Sequence, residues 1–197
     1  MDARTVLSAC AGILSFVGYA PYVRAILRKK THPVRASWII WIAIDVITIL
    51  TMIAEKSLNG QMIGIMIGGT GTLCLAMKYG RSGWTLADKI CLISGCIGIA
   101  AWQASGNALW GLGISMAVIF VGSIPTFIAA WEEPTNENRA AWTIWGLSCV
   151  CAVLAIPRWD FANAAQPVTF ATIQAIMMYL VWIRRAKMEE KPEPCAE

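Results

Sequence analysis

The chain is a succession of apolar blocks, each about as long as a bilayer crossing, with little between them. They run over residues 5–27, 36–54, 58–77, 86–104, 107–131, 140–157 and 161–183. A spanning helix needs about 20 mostly apolar residues. Seven spans consume nearly the whole chain and leave no extramembrane domain, so function has to reside among the helices or in short loops. Composition agrees: 57% of residues are hydrophobic and 14% charged, where a soluble chain carries about a quarter charged.

The first span lacks a basic leader, with Arg4 balanced by Asp2, and runs too long for a cleavable signal. Orientation follows from Lys and Arg. The end of the first span, alternate loops and the C-terminal segment carry 13 of the 16 basic residues: Arg24, Arg28–Lys30, Arg35, Lys78, Arg81, Lys89, Arg139, Arg184, Arg185, Lys187 and Lys191. The other side has Arg4, Lys56 and Arg158. This predicts a multi-pass protein of the plasma (inner) membrane, with the N-terminus outside and the C-terminus cytoplasmic. The net charge of +4 is what such a bias produces, and no basic face suggests nucleic acid. Seven cysteines without CxxC spacing read as small packing residues, not a disulfide framework.

A shift of 104 residues aligns the chain with itself. Positions 16–50 fall on 120–154 without a gap, and 13 of the 35 pairs are identical. Chance greasiness matches Ile with Ile, but it rarely matches Pro21 with Pro125, Arg35 with Arg139, Trp38 with Trp142 and Trp41 with Trp145 in one register. The expected fold is therefore an all-α membrane protein of seven transmembrane helices in two parallel three-helix repeats. Residues 1–80 form the first repeat, 81–106 the linker helix, 107–185 the second repeat and 186–197 a cytoplasmic tail. Parallel repeats are related by an axis along the membrane normal, and transporters place the substrate at the repeat interface near the midplane.

Each repeat carries Phe-Val-Gly-x-x-Pro near the end of its first helix, a short polar loop, and Arg-Ala-x-Trp at the start of its second. With the three-plus-one-plus-three layout, this resembles the PQ-loop and SWEET-type (MtN3 clan) transporters over about residues 5–185. The family's Pro-Gln pair stands here as Pro21-Tyr22 and Pro125-Thr126, and the second helices lack the SWEET prolines. Gly68-Gly69-Thr70-Gly71 is similar to a SWEET Asn-Gly-Thr-Gly stretch with glycine for the sugar-binding Asn. The resemblance implies a carrier of small polar metabolites. Its vitamin-precursor branch shares the layout without those prolines.

Several residues stand out. Pro21 and Pro125, with Gly18 and Gly122 three positions earlier, are candidate gating hinges or static bends. Asp45 is the only ionisable residue of its kind deep inside a span, where a carboxylate costs about 2.5–3.5 kcal/mol on insertion scales. It is a candidate for proton coupling, for substrate binding, or for a structural carboxyl bonded to Thr48 or Thr51. Trp38, Trp41, Asp45 and Thr48 share one stripe. Trp41 and Trp145 are candidates to stack on a flat substrate, whereas Trp38 and Trp142 sit where an interfacial belt belongs. Gln174 is a candidate donor to substrate, as are Thr70 and Thr72. The Gly60/Gly64/Gly68 stripe reads as packing, and Asn59 and Asn163 as helix caps.

The single histidine, His32, lies in a loop, span 7 has no lysine, and no phosphate-binding motif is in context. No metal, cofactor or catalytic constellation is expected. The reading is a non-enzymatic transporter of a polar, ring-containing small molecule, a sugar, nucleoside or vitamin precursor. It works by facilitated diffusion or proton coupling, with the lipid bilayer, a proton and a second copy of the chain as candidate partners. The alternative is a receptor or sorting protein of the same fold.

Overall fold

The computed structural model describes residues 2–29, 33, 35–80 and 86–189. Expectations that concern His32, Arg81 and Cys195 lie outside the described residues. Helices fill all seven apolar blocks, and the described residues contain no strand. Among the described residues, five helical stretches are long and apolar enough to cross a membrane: Ala3–Leu27, Ser37–Ala54, Gly60–Tyr79, Ala108–Glu132 and Phe161–Met188.

The first of these is two helices, α1 (Ala3–Gly18) and α2 (Ala20–Leu27). The break at Tyr19 is the work of Pro21, which has no N–H to return to the preceding turn. The Tyr19 N–H falls back on Phe16 O (3.1 Å), and the ladder restarts at Val23 N to Tyr19 O (2.9 Å). The repeat predicts an equivalent kink at Pro125. There α6 (Ala108–Glu132) runs through Gly122 and Pro125 as one helix, so the interruption is confined to the first half.

Between them come α3 (Arg35–Ala54), α4 (Gly60–Tyr79) and α5 (Leu86–Ser105). After α6 a short 3₁₀ turn leads to α7 (Arg139–Leu154) and α8 (Phe161–Met178). α7 has 16 residues, about 24 Å at 1.5 Å per residue. Caps set the boundaries: Asn59 Oδ1 accepts from Met62 N and Asn138 Oδ1 from Ala141 N, each at 3.0 Å. The cap of α8 is Asp160, whose Oδ1 accepts from Asn163 N (3.0 Å). Asn163, expected as a cap, is instead a first-turn residue whose side chain donates to Asp160 (2.6 Å). α8 then widens into a π-helical turn, Tyr179–Arg184, before α9 (Arg185–Glu189). Wide turns displace carbonyls from the helical ladder. Val181 O is taken by Arg139 Nε–H (3.0 Å), and the guanidinium lies over the Trp182 ring.

α1 packs on α4 and α7, α3 on α4 and α6, and α8 on α6 and α7; α5 lies against α6 and α3. The α1–α4 contact is backbone against backbone. A Cβ on Gly60 would stand 2.0 Å from Ser8 O, and one on Gly64 2.0 Å from Gly12 O. Gly60 N–H also donates to Ser8 Oγ (2.8 Å). The glycine stripe is thus a packing seam, as its spacing predicts. Polarity is turned inward: Asp45, Thr48, Gln61, Ser148, Gln166 and Gln174 are buried, while Ile13, Ile67, Ile97 and Leu154 are exposed. That distribution suits an apolar surrounding medium.

Candidate functional site

A cavity of about 290 Å³ lies among α1, α3, α4, α6, α7 and α8. Its α3 wall is Ser37, Trp38, Trp41 and Asp45; the last three belong to the predicted stripe, whose fourth member, Thr48, does not line the cavity. Asp45 stands about 15 Å along the helix from Arg35, midway through α3, and is 6% exposed. The opposite wall carries Trp142, Trp145 and Cys149 from α7 and Gln174 from α8. Four sequence candidates, Trp41, Asp45, Trp145 and Gln174, therefore share one cavity. The 104-residue alignment explains the pairing, since Asp45 and Cys149 are repeat mates and both face inward.

The other two candidates do not join them. Thr70 is exposed and its hydroxyl leans on Met66 Sδ (3.5 Å). Thr72 is fully buried with its hydroxyl donated to Gly68 O (2.9 Å). At 100° per residue Thr70 lies on the side of α4 away from Gln61 and Ile65, whereas Thr72 shares their face but stands about two turns beyond Ile65, outside the lining. Trp38 and Trp142, expected in an interfacial belt, also line the cavity. The outer indoles are built into an aromatic cluster with Tyr19: Tyr19–Trp145 and Trp142–Trp145 meet edge to face at 5.3 and 5.4 Å, and Tyr22 lies against Trp38 at 5.7 Å.

Backbone features hold these rings. Trp145 Nε1–H donates to Ser15 O (3.1 Å). Gly18 leaves the space the indole occupies, since a Cβ there would meet its Nε1 at 2.2 Å. Trp142 Nε1–H donates to Glu137 Oε2 (2.7 Å), and Gln174 Nε2 donates to Trp142 O. The hydroxyls offered as partners for Asp45 are engaged elsewhere: Thr48 donates to Ile44 O (2.9 Å) and Thr51 to Thr48 O (2.8 Å). Tyr19 is other polar company, placed by Gly69. A Cβ on it would stand 3.9 Å from Asp45 Oδ2 and 3.7 Å from Tyr19 Oη, so carboxylate and phenol converge over the same bare stretch of α4.

Away from the Arg35 end, the interior is closed by a chain of amides. Asn59 Nδ2 donates to Gln166 Oε1 (2.7 Å), Gln166 Nε2 to Gln61 Oε1 (3.0 Å), and Gln61 Nε2 to Ser148 Oγ (3.2 Å). Ser148 donates to Ala11 O (2.8 Å). Its single proton is thereby used, so Ser15 must be the donor in the 2.7 Å Ser15–Ser148 contact. The chain ties α4, α8, α7 and α1 together. Sequence reasoning missed Tyr19, Gln61 and Ser15. The available signal was Gln61, an amide at membrane depth that needs a partner.

No protein family, curated protein or solved structure matches the chain.

Proposed function

We propose that the chain is a small-metabolite carrier of seven transmembrane helices, working by alternating access on a polar, ring-containing substrate. The observation that carries the reading is the central cavity. Its volume of about 290 Å³ lies at the lower edge of the roughly 300–1,000 Å³ typical of ligand pockets, a size suited to one or two rings. Four indoles and one carboxylate converge on it, and the amide chain blocks one end.

Helix contacts support a two-fold relation between parallel repeats. Exchanging α1, α3 and α4 for α6, α7 and α8 turns the pair α1–α7 into α6–α3, α1–α4 into α6–α8, and α3–α4 into α7–α8. Every one of these pairs packs. With the basic end in the cytoplasm, the amide chain closes the outer side and the cavity faces inward. Substrate enters past Trp38 and Trp142, and exit requires the Asn59–Gln166–Gln61–Ser148 chain to part. The break at Tyr19 gives the first half a place to bend.

The reading is tested by thermal-shift screening of purified protein with sugars, nucleosides, vitamin precursors and amino acids, followed by counterflow of each hit in proteoliposomes. A ligand at about 100 times its Kd stabilises the folded state by about 2.7 kcal/mol. The expected outcome is a hit that also exchanges across the vesicle membrane, with exchange lost in Asp45→Asn or Trp41→Leu. A tight hit that never exchanges would replace the carrier with the receptor reading.

A further inference from the structure

We propose that the cavity selects a monocation built on a flat ring, an assignment that rests on the carrier reading and gives its substrate a charge. Among the described residues the lining contains one carboxylate, Asp45, and no lysine, arginine or histidine. An anion would meet an ionised Asp45 unscreened, and beside a neutral ligand the carboxyl could stay in the desolvated site only by taking up a proton. A cation neutralises it.

The hydrogen-bonding capacity of the walls points the same way. A hydroxyl-rich neutral ligand needs several open donors and acceptors, yet both lining amides already spend a donor within the protein. Gln61 accepts from Gln166 and donates to Ser148, and Gln174 donates to Trp142 O. The indole N–H groups of Trp142 and Trp145 are likewise held, by Glu137 and by Ser15 O. These rings therefore offer a ligand π surface in place of donors. The negative faces of Trp and Tyr rings attract cations, and flat rings stack on them. Rings of this kind from the α1–α2 break, α3 and α7, gathered beside a single carboxylate, recognise positive charge and flatness together.

The test uses three compounds with one ring and one spacer: 2-phenylethylammonium, 2-phenylethanol and phenylacetate. Isothermal titration of the purified full-length protein should show the ammonium binding about tenfold or more tighter than the alcohol, with phenylacetate weakest. Asp45→Asn should erase the preference and Asp45→Glu should retain it. Trp41→Leu should weaken the ammonium by about two- to tenfold. Thermal melts of each variant exclude misfolding, and the comparison among three ligands on wild-type protein stands without any variant. Equal or tighter binding of the alcohol or the acid, or no binding of any of the three, overturns the assignment. Counterflow separates the two readings. Cation binding without exchange of radiolabelled 2-phenylethylammonium sinks the carrier and keeps the site, whereas exchange of a neutral solute by a protein that ignores the cation does the reverse.

Discussion

Trp145 depends on a neighbour with no side chain. A Cβ at residue 18 would stand 2.2 Å from the indole nitrogen, so Gly18→Ala is expected to push the ring out of place and break its bond to Ser15 O. Overpacking of this kind costs about 1–3 kcal/mol, to be read as a lower melting temperature together with weaker ligand binding. Asp160 supports a different expectation, because it caps α8 at the aqueous end. The hydrogen bond from the Asn163 side chain, with one from its backbone, holds the Asp160 carboxyl below the usual carboxylate range. A depressed pKa contributes stability above the unfolded value, about 3.9, which is lost as pH falls through the folded value. Asp160→Asn keeps an acceptor at the cap but cannot titrate. Below about pH 4 its melting temperature should fall less steeply than that of the wild type. At this scale the site was half legible. Asp45, Trp41, Trp145 and Gln174 are conspicuous because their chemistry is costly or bulky in a membrane. Tyr19, Gln61 and Ser15 escape notice because their roles come from helix rotation and interhelical contact. The same cause misled at Thr70, whose place in a suggestive motif says nothing of the face it occupies.

Elements were more legible than sites. Long apolar runs place the helices within a few residues of the blocks read from the sequence, since hydrophobic length is a local property; Asn59 caps its helix as expected, whereas the cap of α8 is Asp160 and not Asn163. What locality cannot supply is the different outcome at two matched prolines. Pro21 interrupts its helix and Pro125 does not, although both follow Phe-Val-Gly. If the break at Tyr19 is the working hinge, Pro21→Ala should restore an N–H to the ladder and join α1 to α2. The expected result is a higher melting temperature with severalfold slower counterflow, while Pro125→Ala leaves the rate closer to wild type. Equal slowing by both substitutions would assign the hinge to the pair.

For the molecule as a whole, the proposed repeat rests on tryptophan, proline and arginine recurring in one register, and the helix pairs that pack are those an exchange of the two halves would require. Orientation rests on the basic residues alone. It predicts that Cys195, outside the described residues, is missed by a membrane-impermeant thiol reagent in intact cells and labelled once they are opened. Labelling in intact cells would invert the topology. Under the carrier reading, the amide chain from Asn59 to Ser148 carries one further meaning. Hydroxyls and carboxyls in file can pass a proton along by exchanging roles as donor and acceptor. Carboxamides cannot do so without abandoning their stable tautomer, and the one hydroxyl that terminates the file, Ser148, already has its proton fixed on Ala11 O. A polar interior built from such groups can be opened for a solute and yet, while shut, behaves toward protons as an insulator.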